Sequence, residues 1–363
     1  MYKRQDKYQT IAESNRIYQK PISPVRGFIY DRNGTLLAEN IVQRDLYVTP
    51  AYIEDSAETI LKLSNLLDVP YELLDENFSR GVKKVKKFDS FPLVKALNEE
   101  QIAKAKVNLD SISGIEVKAT LKRYVLHEET LAHVLGYVGD ISSGDIRRDK
   151  LLAELQNTQI GKTGIEKEFD YVLRGKPGIQ TQERDVKGKL VRILDTQGAE
   201  DGKDIYLTID QKLQEHLFKL FENRRGALVA LEPKTGLVRA LISSPSFNPN
   251  ILNSIVDTDE VESLFSDKES PIFNRAISGQ YPPASTLKPF VGLAAIENEV
   301  ISWDKKIKDD GEFYVEGDPR PYRGWKENGH GRVDMRKAIA ESSDVYFYTC
   351  LLYTSDAADE PSS

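Results

Sequence analysis

A glycine- and charge-rich stretch, DTQGAEDGKD at residues 195–204, separates two segments that each carry their own apolar pattern. Because a domain takes about 150 residues on average, a chain of 363 residues suits two domains with a boundary near this stretch. The hydrophobic fraction of 40% and the charged fraction of 29% are typical of folded globular domains. We therefore expect two domains, with a boundary between residues 190 and 225, in this stretch.

Strand and helix patterns alternate in the first segment. Short extended runs at Phe28–Tyr30 and Leu36–Ala38 flank an Asn-Gly pair that is typical of a hairpin turn. Residues 55–110 carry a helical period, and residues 115–121 return to the alternation of a strand.

The second segment mixes the same two kinds of pattern. Asp210 is a favourable N-cap for a helix whose Leu213, Leu217 and Leu220 would face inward. Residues 226–243 read as two apolar strands around a turn. We therefore expect helices and strands in both segments.

Charge, cysteine content and apolar runs limit the function classes. The net charge of −7 does not favour a nucleic-acid partner. Cys350 is the only cysteine, which excludes disulfides and cysteine-based metal clusters. The longest strongly apolar run, residues 290–296, is much shorter than the ~18 residues that span a bilayer. The first residues also lack the apolar core of a secretory signal.

Ser285 and Lys288, three residues apart in YPPASTLKPF (281–290), form the sharpest local motif. The two prolines before Ser285 favour an extended approach to a helix that begins near Ala284. Positions i and i+3 of a helix share a face, so the lysine amine would lie beside the serine hydroxyl. Serine needs such a base to act as a nucleophile, and the N–H groups of a helix start suit an oxyanion. The alternative is a helix cap beside a solvated lysine.

A second element follows 57 residues later, at Ser342, Ser343 and Asp344. A Ser-x-Asn or Ser-x-Asp element after a Ser-x-x-Lys element is the second of three sequence boxes of penicillin-binding proteins and serine β-lactamases. Its serine can relay a proton between the lysine and the leaving group. Its third residue can hydrogen-bond the substrate or the lysine. Taken alone, the same triplet suits any helix cap.

The resemblance to one family extends well beyond these boxes and covers residues 6–349. Six segments in order resemble the class B penicillin-binding proteins, in particular their cell-elongation transpeptidases. The segments are RGFIYDRNGTLLAEN, AHVLGYVGDI, GKTGIEKEFDYVLRGKPG, ALVALEPKTGLVRALISSPSFNPN, NRAISGQYPPASTLKPF and GHGRVDMRKAIAESSDVYFY.

This resemblance implies an α+β protein of two parts. Residues 6–195 would form an elongated mixed α/β pedestal, called the dimerisation domain. Residues 200–349 would form the N-terminal part of a transpeptidase domain, truncated at its C-terminal side, with an antiparallel sheet and helices. The implied catalytic residues are Ser285 as the acyl-accepting nucleophile, Lys288 as its general base, and Ser342 and Asp344 of the second box.

The third box of the family, Lys-Thr-Gly or Lys-Ser-Gly, does not follow Asp344 in this chain. Lys-Thr-Gly occurs at 162–164 and 234–236, but both precede Ser285, so we expect a structural role for each. The residues that bind the substrate carboxylate and complete the oxyanion hole are therefore unknown. The glycine that would open a P-loop before residue 161 is also missing.

We expect no metal ion and no other cofactor. Some relatives bind zinc beside the second box through two Asp, one His and one Cys. The aligned positions in this chain are Asp309, Gly324, His330 and Ser343. Two of the four lack ligand side chains, whereas a structural zinc site needs about four donors. His133 is expected to be a packed residue of the pedestal. Trp325 and Lys326 are expected to be active-site wall or structural support, with no assigned role.

The two ends read as translated sequencing-adapter sequence. Residues 1–5 and 350–363 can be written as one transposon-type adapter read from opposite strands, and such residues are excluded from fold reasoning. We therefore expect residues 6–349 to be a piece of a longer protein, without its upstream membrane anchor and without the rest of the transpeptidase domain. We expect this piece to be inactive.

The implied function is that of a peptidoglycan D,D-transpeptidase, which cross-links stem peptides through a serine acyl-enzyme during cell-wall elongation. Stem peptides and β-lactams would be its ligands. A membrane glycosyltransferase and other elongation-complex proteins would be its partners. The whole protein would lie in the bacterial inner membrane with its catalytic domain outside the cytoplasm. Two alternatives stay open: a β-lactam-binding sensor or hydrolase, and a non-catalytic scaffold whose pedestal contacts elongation partners.

Overall fold

The computed structural model describes residues 17–83, 85, 87–108, 112–150, 152, 159–185, 190–221, 224–252 and 258–359. Helices and strands are mixed throughout these residues, which confirms the α+β class. The chain forms two compact units, Met1–Gly279 and Gln280–Ser363.

The described strands of the first unit form one five-stranded sheet and three smaller sheets. The strands are β1 (Ile17–Ile22), β2 (Ile29–Tyr30), β3 (Leu36–Val48), β4 (Phe91–Val94), β5 (Ile115–Val125), β6 (Val138–Asp140), β7 (Gln159–Gly161), β8 (Gly178–Arg184), β9 (Leu190–Gln197), β10 (Ile205–Tyr206), β11 (Gly226–Leu231) and β12 (Val238–Ser244). The large sheet has the order β10-β2-β3-β4 with β5 also paired to β3, and the others are β1-β8-β9, β6-β7 and β11-β12.

The helices of the first unit are mostly short. They are α1 (Ser56–Leu67), α2 (Tyr71–Val82), α3 (Glu99–Asn108), α4 (Glu128–Leu135), α5 (Ser143–Arg148), α6 (Gly164–Glu168), α7 (Asp170–Arg174), α8 (Gln211–Lys219), α9 (Pro249–Leu252), α10 (Thr258–Ser266) and α11 (Arg275–Ser278).

The long antiparallel pair of β3 and β5 organises the first unit. It runs from Ala38 opposite Val125 to Val48 opposite Ile115. One core packs α1, α2 and α3 against one end of this pair, and a second packs α4 and α7 against the other end. Burial of apolar side chains on both ends stabilises the sheet, since each buried methylene contributes about 0.8 kcal/mol.

The prediction of a helical region over residues 55–110 is wrong at β4. Phe91, Leu93 and Val94 form a buried strand that pairs antiparallel with β3. A short apolar run cannot be distinguished from a helix segment by its period alone, because burial on both sides removes the alternation. Pairing with β3 decides the outcome here.

The inward face predicted for α8 is wrong at two of its three leucines, and the third, Leu217, is half-buried. Leu213 and Leu220 are exposed, whereas Gln211 and Gln214 are buried. The Gln214 amide donates to the Leu241 carbonyl at 2.7 Å and accepts from the Leu241 N–H at 2.8 Å. The helix therefore turns its polar side toward β12, because that side satisfies backbone groups which apolar residues could not.

Several segments after residue 200 belong to the first compact unit. β10 pairs in parallel with β2, and the buried Asn250 amide bonds both backbone groups of Val125 at 2.9 Å. These contacts join residues up to Gly279 to the first compact unit.

A buried ion cluster ties three parts of the first unit together. The Glu166 side chain is 0% exposed, and its two oxygens accept from Arg26 Nε at 2.7 Å and Arg123 Nε at 2.6 Å. Arg26 also lies 2.8 Å from Asp170. Each charge is thus compensated at short range, which burial of an ion requires.

His133 on α4 is buried, as expected for a packed pedestal residue, and its ring centroid lies 5.4 Å from that of Phe247 in an edge arrangement. Burial lowers the pKa of His133 to about 4. The unfolded chain therefore binds a proton between pH 6.5 and 4 that the folded chain does not bind. Stability is fully present above pH 6.5 and falls as the pH drops toward 4.

We expect His133 alone to remove roughly 3 kcal/mol of unfolding free energy between pH 7 and pH 4. The measurement is urea unfolding at both pH values for the parent chain and for His133→Gln. The difference between the two pH values should shrink in the variant. An equal difference in both proteins would contradict the prediction.

The second unit contains short β-hairpins and three helices among its described residues. Its helices are α12 (Lys288–Glu297), α13 (Met335–Glu341) and α14 (Asp344–Asp359), and its strands are β13 (Ile307–Asp309), β14 (Glu312–Phe313), β15 (Tyr322–Arg323) and β16 (Gly331–Val333). β13 pairs with β16 and β14 pairs with β15. The helices enclose a core that includes Ala295, Ile301, Val333, Met335, Ala338, Tyr346, Phe347 and Cys350.

The C-terminal run is part of this packing. α14 continues through Cys350 to Asp359, and the Cys350 side chain is fully buried. Cys350, which the sequence analysis left out of the fold, thus belongs to the core, since one helical turn places it on the same face as Tyr346 and Phe347. Within the described residues, none of the helices is both long enough and apolar enough to cross a membrane.

Candidate active site

Ser285 lies in a short 3₁₀ turn, Ala284–Leu287, that leads directly into α12. The expected α-helix start near Ala284 is therefore wrong, and the helix begins at Lys288 instead. Pro289 explains the shift: an α-helix from Ala284 would need a Pro289 N–H and would bring its ring against the Ser285 carbonyl. In a 3₁₀ turn residues i and i+3 eclipse each other, so Ser285 and Lys288 still share a face.

The junction of α13 and α14 presents the second pair of polar side chains. Ser342 ends α13 in the left-handed conformation with φ 55° and ψ 45°. The next N–H, of Ser343, bonds the Ala338 carbonyl at 3.0 Å. Ser342 and Asp344 therefore flank a tight turn between two helices, which directs both side chains toward the start of α12.

One hydrogen-bonded series joins the four predicted residues. Ser342 Oγ lies 2.9 Å from Ser285 Oγ and 2.9 Å from Lys288 Nζ. Lys288 Nζ also contacts the Ser342 carbonyl at 2.8 Å and Asp344 Oδ1 at 2.6 Å. Lys288 is thus connected to Ser285 through the Ser342 hydroxyl, rather than by the direct contact that the i, i+3 spacing predicts.

Trp325 contacts this group through two N–H groups, whose partners the sequence did not specify. Its backbone N–H donates to Asp344 Oδ2 at 3.1 Å, and its indole N–H donates to the Glu341 carbonyl at 3.2 Å. Asp344 therefore uses one oxygen for Lys288 and the other for the loop. An aromatic residue fifteen positions or more from either box carries no local signal that would reveal such a contact.

Asp309, His330 and Ser343 meet beside the junction. Asp309 Oδ2 accepts from the Ser343 hydroxyl at 2.5 Å and from His330 Nδ1 at 2.8 Å, and Asp309 Oδ1 accepts from the Gly311 N–H at 2.9 Å. Burial alone would raise the pKa of Asp309, but these hydrogen bonds outweigh it and lower the pKa. The carboxylate is thus ionised at neutral pH.

The residues at the aligned zinc positions do not fit a zinc ion. Gly324 has no side chain, and the Ser343 hydroxyl donates its hydrogen bond to Asp309. Asp309 and His330 would leave only two donors for a metal that takes about four. We therefore derive no step through a metal ion.

The two earlier Lys-Thr-Gly triplets have structural surroundings. Lys162 Nζ lies 2.6 Å from Asp145 Oδ2 just before α6. Gly236, with φ 74°, closes the turn between β11 and β12 by donating its N–H to the Glu232 carbonyl at 2.8 Å. Glycine adopts this positive φ without the strain that a side chain would add.

Comparison with known proteins places the chain in a family. Residues 21–207 match the model of the penicillin-binding protein dimerisation domain, and residues 226–354 match that of the penicillin-binding protein transpeptidase domain.

Two curated relatives are named peptidoglycan D,D-transpeptidase MrdA. The Haemophilus influenzae protein is 38% identical over 347 residues, which is 94% of this chain and 53% of the relative. The Escherichia coli K12 protein is 37% identical over 348 residues, which is 94% of this chain and 54% of the relative. The chain thus spans about half the length of the curated relatives it matches.

Solved structures give the same result. The complex between penicillin-binding protein 2 and MreC from Helicobacter pylori has a TM-score of 0.80 at 29% identity, covering 92% of this chain and 62% of that one. The order of the sequence motifs, the geometry of the site, the family models and the similar solved structures all indicate the same family. The chain belongs to the penicillin-binding proteins, in which a dimerisation domain is followed by a transpeptidase domain.

Proposed function

We propose that the whole protein is a peptidoglycan D,D-transpeptidase that cross-links stem peptides through a serine acyl-enzyme during cell-wall elongation. The observation that carries the proposal is the series Ser285, Ser342, Lys288 and Asp344, linked by contacts of 2.9, 2.9 and 2.6 Å. The names of the curated relatives support the same reaction.

In the acylation step, Ser285 Oγ attacks the carbonyl carbon of the penultimate D-Ala. Its proton passes to Ser342 Oγ, and the Ser342 proton passes to the amine form of Lys288. The tetrahedral intermediate then collapses: the C–N bond breaks, and the terminal D-Ala leaves as an amine that takes the proton back along the same path. Asp344 holds Lys288 in place, since it is the carboxylate that contacts Nζ.

In the transfer step, an amine of a neighbouring stem peptide attacks the ester carbon and releases Ser285. The path through Ser342 and Lys288 removes the proton from this amine and returns one to Ser285 Oγ. The Ser285 N–H is the one oxyanion donor that this chain supplies in our proposal. A β-lactam carbonyl enters the same path, and opening of its ring leaves the acyl group on Ser285.

The 363-residue chain by itself is proposed to be inactive. This proposal rests on the order of the boxes, because both Lys-Thr-Gly triplets of this chain precede Ser285. On α12, Phe290 and Leu293 are 69% and 54% exposed. Exposed large apolar side chains on one helix face are a feature of surfaces that bind another segment or a partner.

The test is covalent labelling with a fluorescent penicillin followed by mass spectrometry of the digested protein. We expect the whole protein to carry one adduct on the peptide that contains Ser285, and Ser285→Ala to carry none. We expect no adduct on the 363-residue chain. An adduct on another residue of the whole protein would refute the function, and robust labelling of the short chain at Ser285 would refute its inactivity.

The whole protein is proposed to lie in the bacterial inner membrane, with an anchor helix before the pedestal and the catalytic domain outside the cytoplasm. Stem peptides and β-lactams are its proposed ligands. A membrane glycosyltransferase and other elongation-complex proteins are its proposed partners. The solved Helicobacter pylori complex of penicillin-binding protein 2 with MreC supports a protein partner of this kind.

A further inference from the structure

We propose that Asp309, His330 and Ser343 form a metal-free hydrogen-bond brace that holds Ser342 in position for proton transfer. All three are positioning residues. They act through Ser342, and the inference rests on the proposed function of Ser285 and Lys288.

The Ser343 hydroxyl is the centre of the brace. It donates to Asp309 Oδ2 at 2.5 Å and accepts from the Tyr346 N–H at 3.3 Å. The second bond caps the start of α14. A serine hydroxyl has a single proton, and here that proton is donated to Asp309 while the oxygen accepts from Tyr346. The two hydrogen bonds together fix the side-chain rotamer. The residue is 0% exposed, which leaves water no access to replace either bond.

Ser342 needs such support because its backbone is strained. With φ 55° it lies in the left-handed region, where a non-glycine residue costs about 1 kcal/mol or more. The structure must hold this conformation from both sides. Before it, the Ser342 N–H bonds the Ile339 carbonyl; after it, Ser343 is tied to Asp309. Release of the second tie would let Ser342 rotate and move its hydroxyl away from Lys288.

His330 extends the brace to the loop that contains Trp325. The His330 side chain is 3% exposed, and its ring centroid lies 5.4 Å from that of Trp325 in an edge arrangement. Trp325 in turn bonds the Glu341 carbonyl and the Asp344 carboxylate, one on each side of Ser342. The turn that carries Ser342 is therefore held through Ser343 and, independently, through its two flanks.

At Asp309 Oδ2, the brace and a metal ion would compete for the same oxygen. Asp309 Oδ2 is occupied by protons from Ser343 and His330, and these are the atoms that a metal would have to displace. Gly324 contributes no donor to compensate for their loss. The positions that would hold zinc thus hold a direct hydrogen-bonded contact between the same polypeptide segments.

The test compares Ser343→Ala and Asp309→Asn with a matched control, Asp334→Ala, in the whole protein. Asp334 caps α13 by accepting the Lys337 N–H at 2.9 Å, so Ser343→Ala and the control each remove one helix cap of the second unit. The acylation rate constant and the affinity before bond formation are measured separately, at a temperature where circular dichroism shows every variant folded.

We expect Ser343→Ala and Asp309→Asn to slow acylation about tenfold to a hundredfold with little change in affinity, because a displacement of about 1 Å in a reacting group has effects of this size. The control should change acylation by less than about twofold. Equal slowing of acylation in Ser343→Ala and Asp334→Ala would show that Ser343 affects the rate only as a helix cap that stabilises the fold. That result would overturn the proposal.

Hydrogen exchange separates the brace from the proposed function. On peptides that span residues 341–347, Ser343→Ala should lower amide protection about tenfold and Asp334→Ala should not. Unchanged protection would overturn the brace even if Ser285 is acylated normally; absent acylation in the unmutated protein would overturn only the function. Zinc chloride added to metal-stripped protein should neither bind stoichiometrically nor raise Tm, and either result would overturn the metal-free assignment.

Discussion

Replacing Lys288 with methionine is expected to slow the acylation of Ser285 about 10²- to 10⁴-fold in the whole protein, the range that a general base contributes. Methionine has a similar length and fits the same space, but it cannot accept the proton that Ser342 passes on. The Lys288 amine has its contacts with Ser342 and Asp344 within 2.9 Å, so water cannot take its place without rearrangement. Affinity for penicillin before bond formation should change little.

Lys337→Met is the matched control for this prediction. Lys337 lies on α13, and its Nζ contacts only the His330 carbonyl, at 3.3 Å, among the hydrogen bonds of the described residues. Stopped-flow mixing with a fluorescent penicillin gives the acylation rate for both variants. Tm measurements establish that both are folded. A Lys288→Met protein that is acylated at the unmutated rate would remove Lys288 from the proposed path.

Replacing Glu166 with glutamine is expected to lower the unfolding free energy of the first unit by about 3–5 kcal/mol. Glutamine keeps the shape of the side chain but removes the negative charge that compensates Arg26 and Arg123. The side-chain exposures are 0% for Glu166, 2% for Arg123 and 11% for Arg26. Because solvent reaches these side chains so little, the variant loses the one carboxylate that contacts both Arg26 and Arg123, while Asp170 still contacts Arg26.

Glu76→Gln provides the comparison at an exposed ion pair. Glu76 and Arg80 lie one helical turn apart on α2, with side chains 65% and 44% exposed. Exposed pairs of this kind contribute about 0.3–0.5 kcal/mol. Urea unfolding of the parent chain and both variants measures the two effects. Similar small losses in Glu166→Gln and Glu76→Gln would mean that the buried cluster is not held by its charges.

Local features of the fold were predictable from sequence where a short segment decides them. The Asn-Gly turn is present, with Gly34 at φ 83°, and Asp210 caps α8 through the Leu213 N–H. Both depend on atoms within four residues of each other. β4 and the buried face of α8 were not predictable in this way, because they depend on β3 and on the Leu241 backbone.

The same distinction applies to the candidate site. The i, i+3 spacing of Ser285 and Lys288 is local, and the pair shares a face even though Pro289 delays the helix. The relay through Ser342 is not local, since Ser342 lies 57 residues from Ser285. From sequence, Asp309, His330 and Ser343 were identified as positions aligned with zinc ligands. Their mutual hydrogen bonds were not predicted.

The amino-acid sequence by itself determined the family, the two boxes and the order of the two domains, since these depend only on which residues occur and how they are spaced along the polypeptide. Tertiary structure decided that Lys288 reaches Ser285 through Ser342, and that Asp309 contacts His330 and Ser343 across 21 and 34 residues. The physical reason is the packing of α12 against α13 and α14 around Met335 and Phe347. Burial of that core sets which distant polar groups come within hydrogen-bonding distance, and local patterns carry no information about it.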